Sequence, residues 1–312
     1  MVDFYDFIVI GAGISACTFA STLNRRFSNA SILLVECGRR IGGRSTTRKS
    51  RKNINLQFDH GLPSINLSIN ISNDLFNLIT PLIKSKKLLD ISKDILLMNE
   101  FGEINHLYIH DKIYRSIPFM MNFSQEIINQ SINPEKIDFL FETLIKSVRR
   151  KNNLWELQIN NEDFIRSQNL ILSSSLIVHP RCLEILNINS LPIRDALVKG
   201  KDKIVDSLLE ITSKQEYIIR KNYIIYSSNK EIVDNLGYKY LQVFFSKLIQ
   251  SDFNFEKIIF QKQFNGSMII VLHCSFINKL FELNSDRIIQ NLIMIFIKYK
   301  KFSDIFLNAK II

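Results

Sequence analysis

Six of the chain's ten glycines (Gly11, Gly13, Gly38, Gly42, Gly43 and Gly61) lie at or before residue 61 of 312. Ten in 312 is well under the roughly 7% usual for glycine, so the early ones mark places where the backbone needs what only glycine allows. The first run, Gly11-Ala12-Gly13-Ile14-Ser15-Ala16, follows Phe7-Ile8-Val9-Ile10, an apolar run without alternation that suits a parallel strand buried on both faces. Two glycines there permit a tight turn and a close backbone approach, and Ala16 at the third fingerprint position permits close helix-to-strand packing.

The spacing predicts a helix over 14–27, with Ile14, Cys17, Ala20, Leu23 and Phe27 as its apolar stripe and Arg25 and Arg26 near its negative end. A second strand, Ser31 to Val35, ends at Glu36, twenty-three residues beyond Gly13. That is near the distance at which an acidic side chain meets a ribose. Strand, glycine turn, helix, strand and acid describe a mononucleotide-binding half, with a diphosphate at the helix N-terminus and ribose hydroxyls at Glu36.

Which dinucleotide is meant follows from the second run. Arg40-Ile41-Gly42-Gly43-Arg44-Ser45-Thr46 resembles the R-x-G-G-R-x-[ST] motif of flavin-dependent amine oxidases. Phe58-Asp59-His60-Gly61 resembles the D-x-G-A-Q-Y segment of the renalase-like FAD/NAD(P)-dependent oxidoreductases, a branch of that superfamily. Trp155-Glu156-Leu157, Asn169 to Leu172 and Val271-Leu272-His273-Cys274 follow in similar order. The resemblance implies an α/β fold: a Rossmann-like FAD-binding domain of the GR2/amine-oxidase type (1–62 and 137–180) interleaved with an α+β substrate domain (63–136 and 181–312). It implies FAD as cofactor, held by Gly11, Ala12, Gly13, Ile14, Ser15, Ala16, Glu36, Cys37, Gly43 and Arg44. Gly61 and Leu62 would lie toward the flavin, and the backbone of Ile145, matched by counting back from Trp155, toward the adenine.

After Gly61 the pattern is less regular. Expected are a helix over 72–90 interrupted at Pro81, two short strands around Gly102 within 95–115, and a helix from Phe119 to Ile132. Ile137 to Val148 reads as a strand, Trp155 to Ile159 and Asn169 to Leu172 as a meander and a return strand. Tyr217 to Ile219, Tyr223 to Tyr226, Ile258 to Gln261 and Met268 to His273 read as strands, and Asp286 to Tyr299 as the last helix. Phe244, Phe245, Phe253 and Phe255 read as core.

With 46% hydrophobic residues the chain can bury a large core, and no early run resembles a signal peptide or reaches the length of a membrane span. A cytoplasmic setting is the expectation. Cys17, Cys37, Cys182 and Cys274 show no metal-ligand or disulfide spacing, so reduced, packed thiols and no metal are expected. The net charge of +10 raises the question of nucleic acid. Its densest part, Arg39, Arg40, Arg44, Arg48, Lys49, Arg51 and Lys52, lacks interleaved aromatic residues and adjoins the diphosphate site, so nucleic-acid binding is not expected.

No triad, H-E-x-x-H or carboxylate pair stands out, which fits chemistry carried by a cofactor. The resemblance implies a small-molecule substrate, a reduced nicotinamide nucleotide isomer or an amine-like donor. His60 is the one weak candidate for a catalytic group; His106, His110, His179 and His273 have lesser claims. The chain departs from the family at Leu62-Pro63-Ser64 and at Ser173-Ser174-Ser175. It also reaches Ile312 before the family's W-R segment, C-G-D strand and closing helix. A shortened, non-catalytic relative that binds FAD weakly or not at all is therefore the alternative expectation, as a nucleotide-binding or interaction protein.

Overall fold

The computed structural model describes residues 4–50, 56–68, 71–105, 111–159, 163–174, 179, 182–183, 187, 189, 191–193, 203–215, 219–227, 240–262, 267–276, 284–307 and 309–312. The chain forms two compact units, Met1–Thr46 with Met121–Glu216, and Thr47–Met120 with Tyr217–Ile312. Each unit draws on two stretches of chain, and the crossings fall near residues 46, 120 and 216, against the 62, 136 and 180 of the sequence reading. Among the described residues no helix is long and apolar enough to cross a membrane.

The first unit is built on a six-stranded sheet. Its order is Ile137–Leu140, Ile32–Val35 (β2), Phe4–Ile10 (β1), Phe164–Leu172, Leu154–Gln158 and Ser147–Lys151. The first four strands are parallel and the last two form an antiparallel meander. All four residues of β2 are buried, as are Ile8, Val9 and Ile10 of β1, which is why both read as unbroken apolar runs. Helix α1 (Ile14–Arg26) turns Ala16, Cys17, Ala20, Ser21 and Asn24 inward. The expected stripe is corrected here: small residues make the close contact, Leu23 is half-buried, and Phe27 lies beyond the helix, exposed, its ring 6.3 Å from that of Phe7.

The expected strand Ile137 to Val148 is two strands with a break at Glu142, whose φ is +53°. The break has a tertiary cause: the Glu142 and Thr143 N–H groups donate to the carbonyls of Gly38 (2.9 Å) and Glu36 (3.1 Å), drawing the chain toward the end of β2.

The second unit centres on a seven-stranded sheet, ordered Lys310–Ile311, Ile219–Ser227, Met268–Phe276, Phe255–Lys262, Tyr240–Phe244, Ile95–Asn99 and Ile104–Asn105. One face packs Ile225, Val243, Ile258, Phe260, Ile270 and Leu272 against Ile288, Leu292, Phe296, Ile305 and Phe306 of the C-terminal segment. The other face places Ile224, Ile259, Ile269 and Val271 against Leu56 and Phe58.

Several expectations are corrected in this unit. The helix Asn73–Lys84 runs through Pro81, tolerated because Pro81 and Asn77, whose carbonyl loses its helical donor, both face solvent; the chain then enters the strand Leu88–Asp90. The last helix ends at Ile295 and a second spans Lys300–Leu307, because Phe296 and Phe306 stack in the core with centroids 5.9 Å apart. Ile219–Ser227 is one strand rather than two, with Tyr217 outside the described residues. Phe245 and Phe255 are buried, but Phe244 is 45% exposed.

Candidate functional site

The glycine turn is assembled from the end of β1. Gly11 has φ +107°, a conformation that disfavours any side chain, and its N–H donates to the Val35 carbonyl on β2 (2.8 Å). Gly13 is the N-cap of α1, with no side chain capping the helix and no acidic residue in its first turn. The first N–H groups of a helix have no intrahelical acceptor. Here they belong to a stretch in which Gly13 and Ile14 are half-exposed and Ser15 is exposed, so the positive end of the helix is left for an anion.

The second glycine run closes on this turn. The Gly42 N–H donates to the Ala12 carbonyl (2.8 Å), and Gly42 bridges Gly13 in parallel fashion. Gly43, at φ +54°, lies so near that a Cβ there would come within 3.1 Å of the Gly13 Cα. The short 3₁₀ turn Gly43–Ser45 is held by the Ser45 hydroxyl donating to the Gly42 carbonyl (2.8 Å). It carries Arg44 with its side chain exposed and no ion pair to the described residues.

Glu36 joins the turn to the end of β2. One carboxylate oxygen accepts from the buried Ala12 N–H (2.9 Å), the other from the Gly38 N–H (2.7 Å). The oxygen bound to Gly38 also accepts from the Cys37 thiol (3.5 Å), and the one bound to Ala12 keeps acceptor capacity for a further donor such as a ribose hydroxyl. Cys37 is exposed, which corrects the expectation of a packed thiol; desolvation and the neighbouring Glu36 carboxylate push its pKa up. Cys17, Cys182 and Cys274 are buried, and burial pushes Cys17 and Cys274 up to about 12. The Ile145 side chain sits in the core of this unit with Val35 and Val148.

His60, Gly61 and Leu62 belong to the second unit, where they form a short loop after the strand Gln57–Asp59. The loop is held from several directions. Asp59, 1% exposed, accepts from Arg115 Nη2 (2.5 Å), the Thr47 hydroxyl (2.7 Å) and the Met120 N–H (3.1 Å). Burial pushes its carboxyl up, and Arg115 with these donors pulls it back. Gln261 donates to the Asp59 carbonyl (2.8 Å) and Asn222 to the His60 carbonyl (2.7 Å).

Asn222 belongs to a polar row across three neighbouring strands, Asn222, His273 and Lys257. His273 Nε2 is buried without a hydrogen-bond partner among the described residues. Burial, then the Lys257 charge, lower the His273 pKa to about 4.

Sequence reasoning named His60 but missed Thr47, Arg115, Asn222 and Gln261, which converge from four separate strands and share no spacing. Asp59 lies within the Phe58–Gly61 segment, and a carboxylate beside a core phenylalanine in a short strand was the available signal. His106, His110 and Ser175 lie outside the described residues. No group of three or more His, Cys, Asp or Glu among the described residues could hold a metal ion.

Residues 9–82 match the sequence profile of the NAD(P)-binding Rossmann-like domain. No curated protein matches the chain. Among solved structures, the fold is similar to that of wild-type putrescine oxidase bound to putrescine (10% identity, TM-score 0.55, 96% of this chain and 81% of that one). An engineered single variant of the same oxidase gives 11% identity and a TM-score of 0.59, over 96% and 83% of the two chains. A protein assigned as a protoporphyrinogen oxidase, from Exiguobacterium sp. 255-15, gives 10% and 0.58 over 97% and 84%. The chain thus has a mixed α/β fold with a Rossmann-like domain, of the architecture these oxidases share.

Proposed function

We propose that the protein is a cytoplasmic FAD-dependent oxidoreductase of the renalase-like type. The observation that carries this reading is the seating of the Gly42-Gly43 loop on the Gly11–Gly13 turn, at a helix N-terminus that no side chain caps. A simple glycine turn has no need of a second glycine pair against it; a site that brings backbone close to a diphosphate does. The fit is supported by Glu36, poised at the end of β2, and by the exposed Arg44 beside the turn.

In this reading the amides of residues 13–16 and Arg44 hold the pyrophosphate, and Glu36 holds the adenosine ribose while fixing the turn. Cys37 and the Ile145 backbone border the adenosine end. His60, Gly61 and Leu62 serve the flavin end, on the strength of the sequence resemblance. The bound cofactor supplies hydride-accepting chemistry, with a reduced nicotinamide isomer or an amine-like molecule as donor and oxygen or another acceptor as the outlet. The chain's part is to bind, orient and screen from water.

The test is a spectrum. Purified protein reconstituted with FAD should be yellow, and anaerobic addition of reduced nicotinamide isomers or primary amines should bleach it for one class. Protein that stays colourless with added FAD would reject the reading and favour a nucleotide-binding or interaction protein.

A further inference from the structure

Arg115 spans the two ends of the His60–Leu62 loop with a single guanidinium. Nη2 meets the Asp59 carboxylate at 2.5 Å, and Nη1 donates to the Pro63 carbonyl at 2.9 Å. Between them lie His60 and Gly61, half-exposed, and Leu62, 38% exposed, while Asp59 and Arg115 are 1% and 6% exposed. The Arg115 guanidinium lies over the Tyr240 ring at 5.0 Å.

A buried ion pair is a poor source of stability, because well-packed apolar residues of similar volume often do as well or better. What it supplies here is direction. The planar fork aims two N–H vectors at fixed angles, and they reach opposite ends of a loop whose remaining carbonyls at Asp59 and His60 are held by Gln261 and Asn222.

We propose that Arg115 is a positioning residue that fixes the geometry of the His60–Leu62 loop for ligand contact. The assignment of that loop to the flavin end rests on the function proposed above; the strap itself rests on the distances given.

Lysine separates the two roles of this residue. Its ammonium can keep the charge pair with Asp59 but lacks the rigid planar fork that aims a second N–H at Pro63. In full-length Arg115→Lys protein without added cofactor, the ¹⁵N relaxation order parameters of residues 60–62 should fall from about 0.85 to below about 0.6. Order elsewhere in the second unit should hold, and Asn222→Ala, which removes the Asn222 donor from the His60 carbonyl, should loosen the same residues. Arg115→Met, which strands the Asp59 charge, should lower the Tm more than Arg115→Lys; if it fails to fold, the lysine and Asn222 variants decide.

For FAD titrated into Arg115→Lys, the expected Kd is roughly tenfold weaker than for wild type. Order parameters unchanged at 60–62, or reduced equally throughout the second unit, would overturn the proposal. If wild type binds no FAD while the loop loosens as expected, the flavin reading falls and the positioning role stands.

Discussion

Glu36 ties the glycine turn to the end of its strand, and it is also the acid proposed to hold the ribose. Its oxygens hold the Ala12 and Gly38 N–H groups, and the oxygen on Ala12 keeps acceptor capacity for a further donor. With charge-assisted hydrogen bonds contributing about 1.5–3 kcal/mol, Glu36→Ala should weaken FAD roughly ten- to a hundredfold. Glu36→Gln keeps one acceptor oxygen and should fall between. Flavin fluorescence quenching measures both, and an unchanged Kd in the alanine variant would remove Glu36 from the site. Glu36 was legible from the sequence because it sits at a fixed distance from the glycines, on the strand after the helix. Its grip on Ala12 was not, since a backbone hydrogen bond leaves no mark on the identity of its donor.

At the scale of elements, legibility followed burial. The strands β1 and β2 are covered on both faces and read as continuous apolar runs. The strand Ile137–Leu140 was read too long, because the turn at Glu142 is imposed by bonds to residues a hundred positions away. The polar row on the second unit's sheet was equally hidden, since Asn222, His273 and Lys257 become neighbours only through strand register.

That row has a measurable consequence. His273 is buried neutral, with a pKa of about 4 against the ordinary 6.5, through burial first and then the Lys257 charge. Below pH 6.5 the unfolded chain takes up this proton and the folded one does not. The stability His273 contributes is therefore complete above about pH 6.5 and is lost as pH falls toward 4, by at most about 3 kcal/mol. Urea melts of wild type and His273→Gln between pH 7 and 4 should converge by that order as the pH falls. Parallel curves would mean that His273 is not held neutral.

For the whole molecule, the net charge of +10 is the feature most open to misreading. Part of it is answered locally, as where Arg39 meets Glu142 at 3.1 Å, and Arg149 and Arg166 share Glu156 at 2.6 and 2.8 Å. Arg44, beside the glycine turn, makes no ion pair with the described residues. The glycine turn was readable because the Gly42-Gly43 loop packs against it at backbone distance, which restricts residue choice to glycine and alanine. The loop at His60–Leu62 was readable only as a resemblance, since its support comes from side chains on separate strands.

The central claim is that the first unit grips the adenosine diphosphate half of FAD. Competition binding tests it most directly, with FAD titrated into the full-length protein in the presence of ADP or of FMN. The account predicts one FAD per chain, displaced by ADP and indifferent to FMN. No FAD binding, or displacement by FMN but not by ADP, would contradict it.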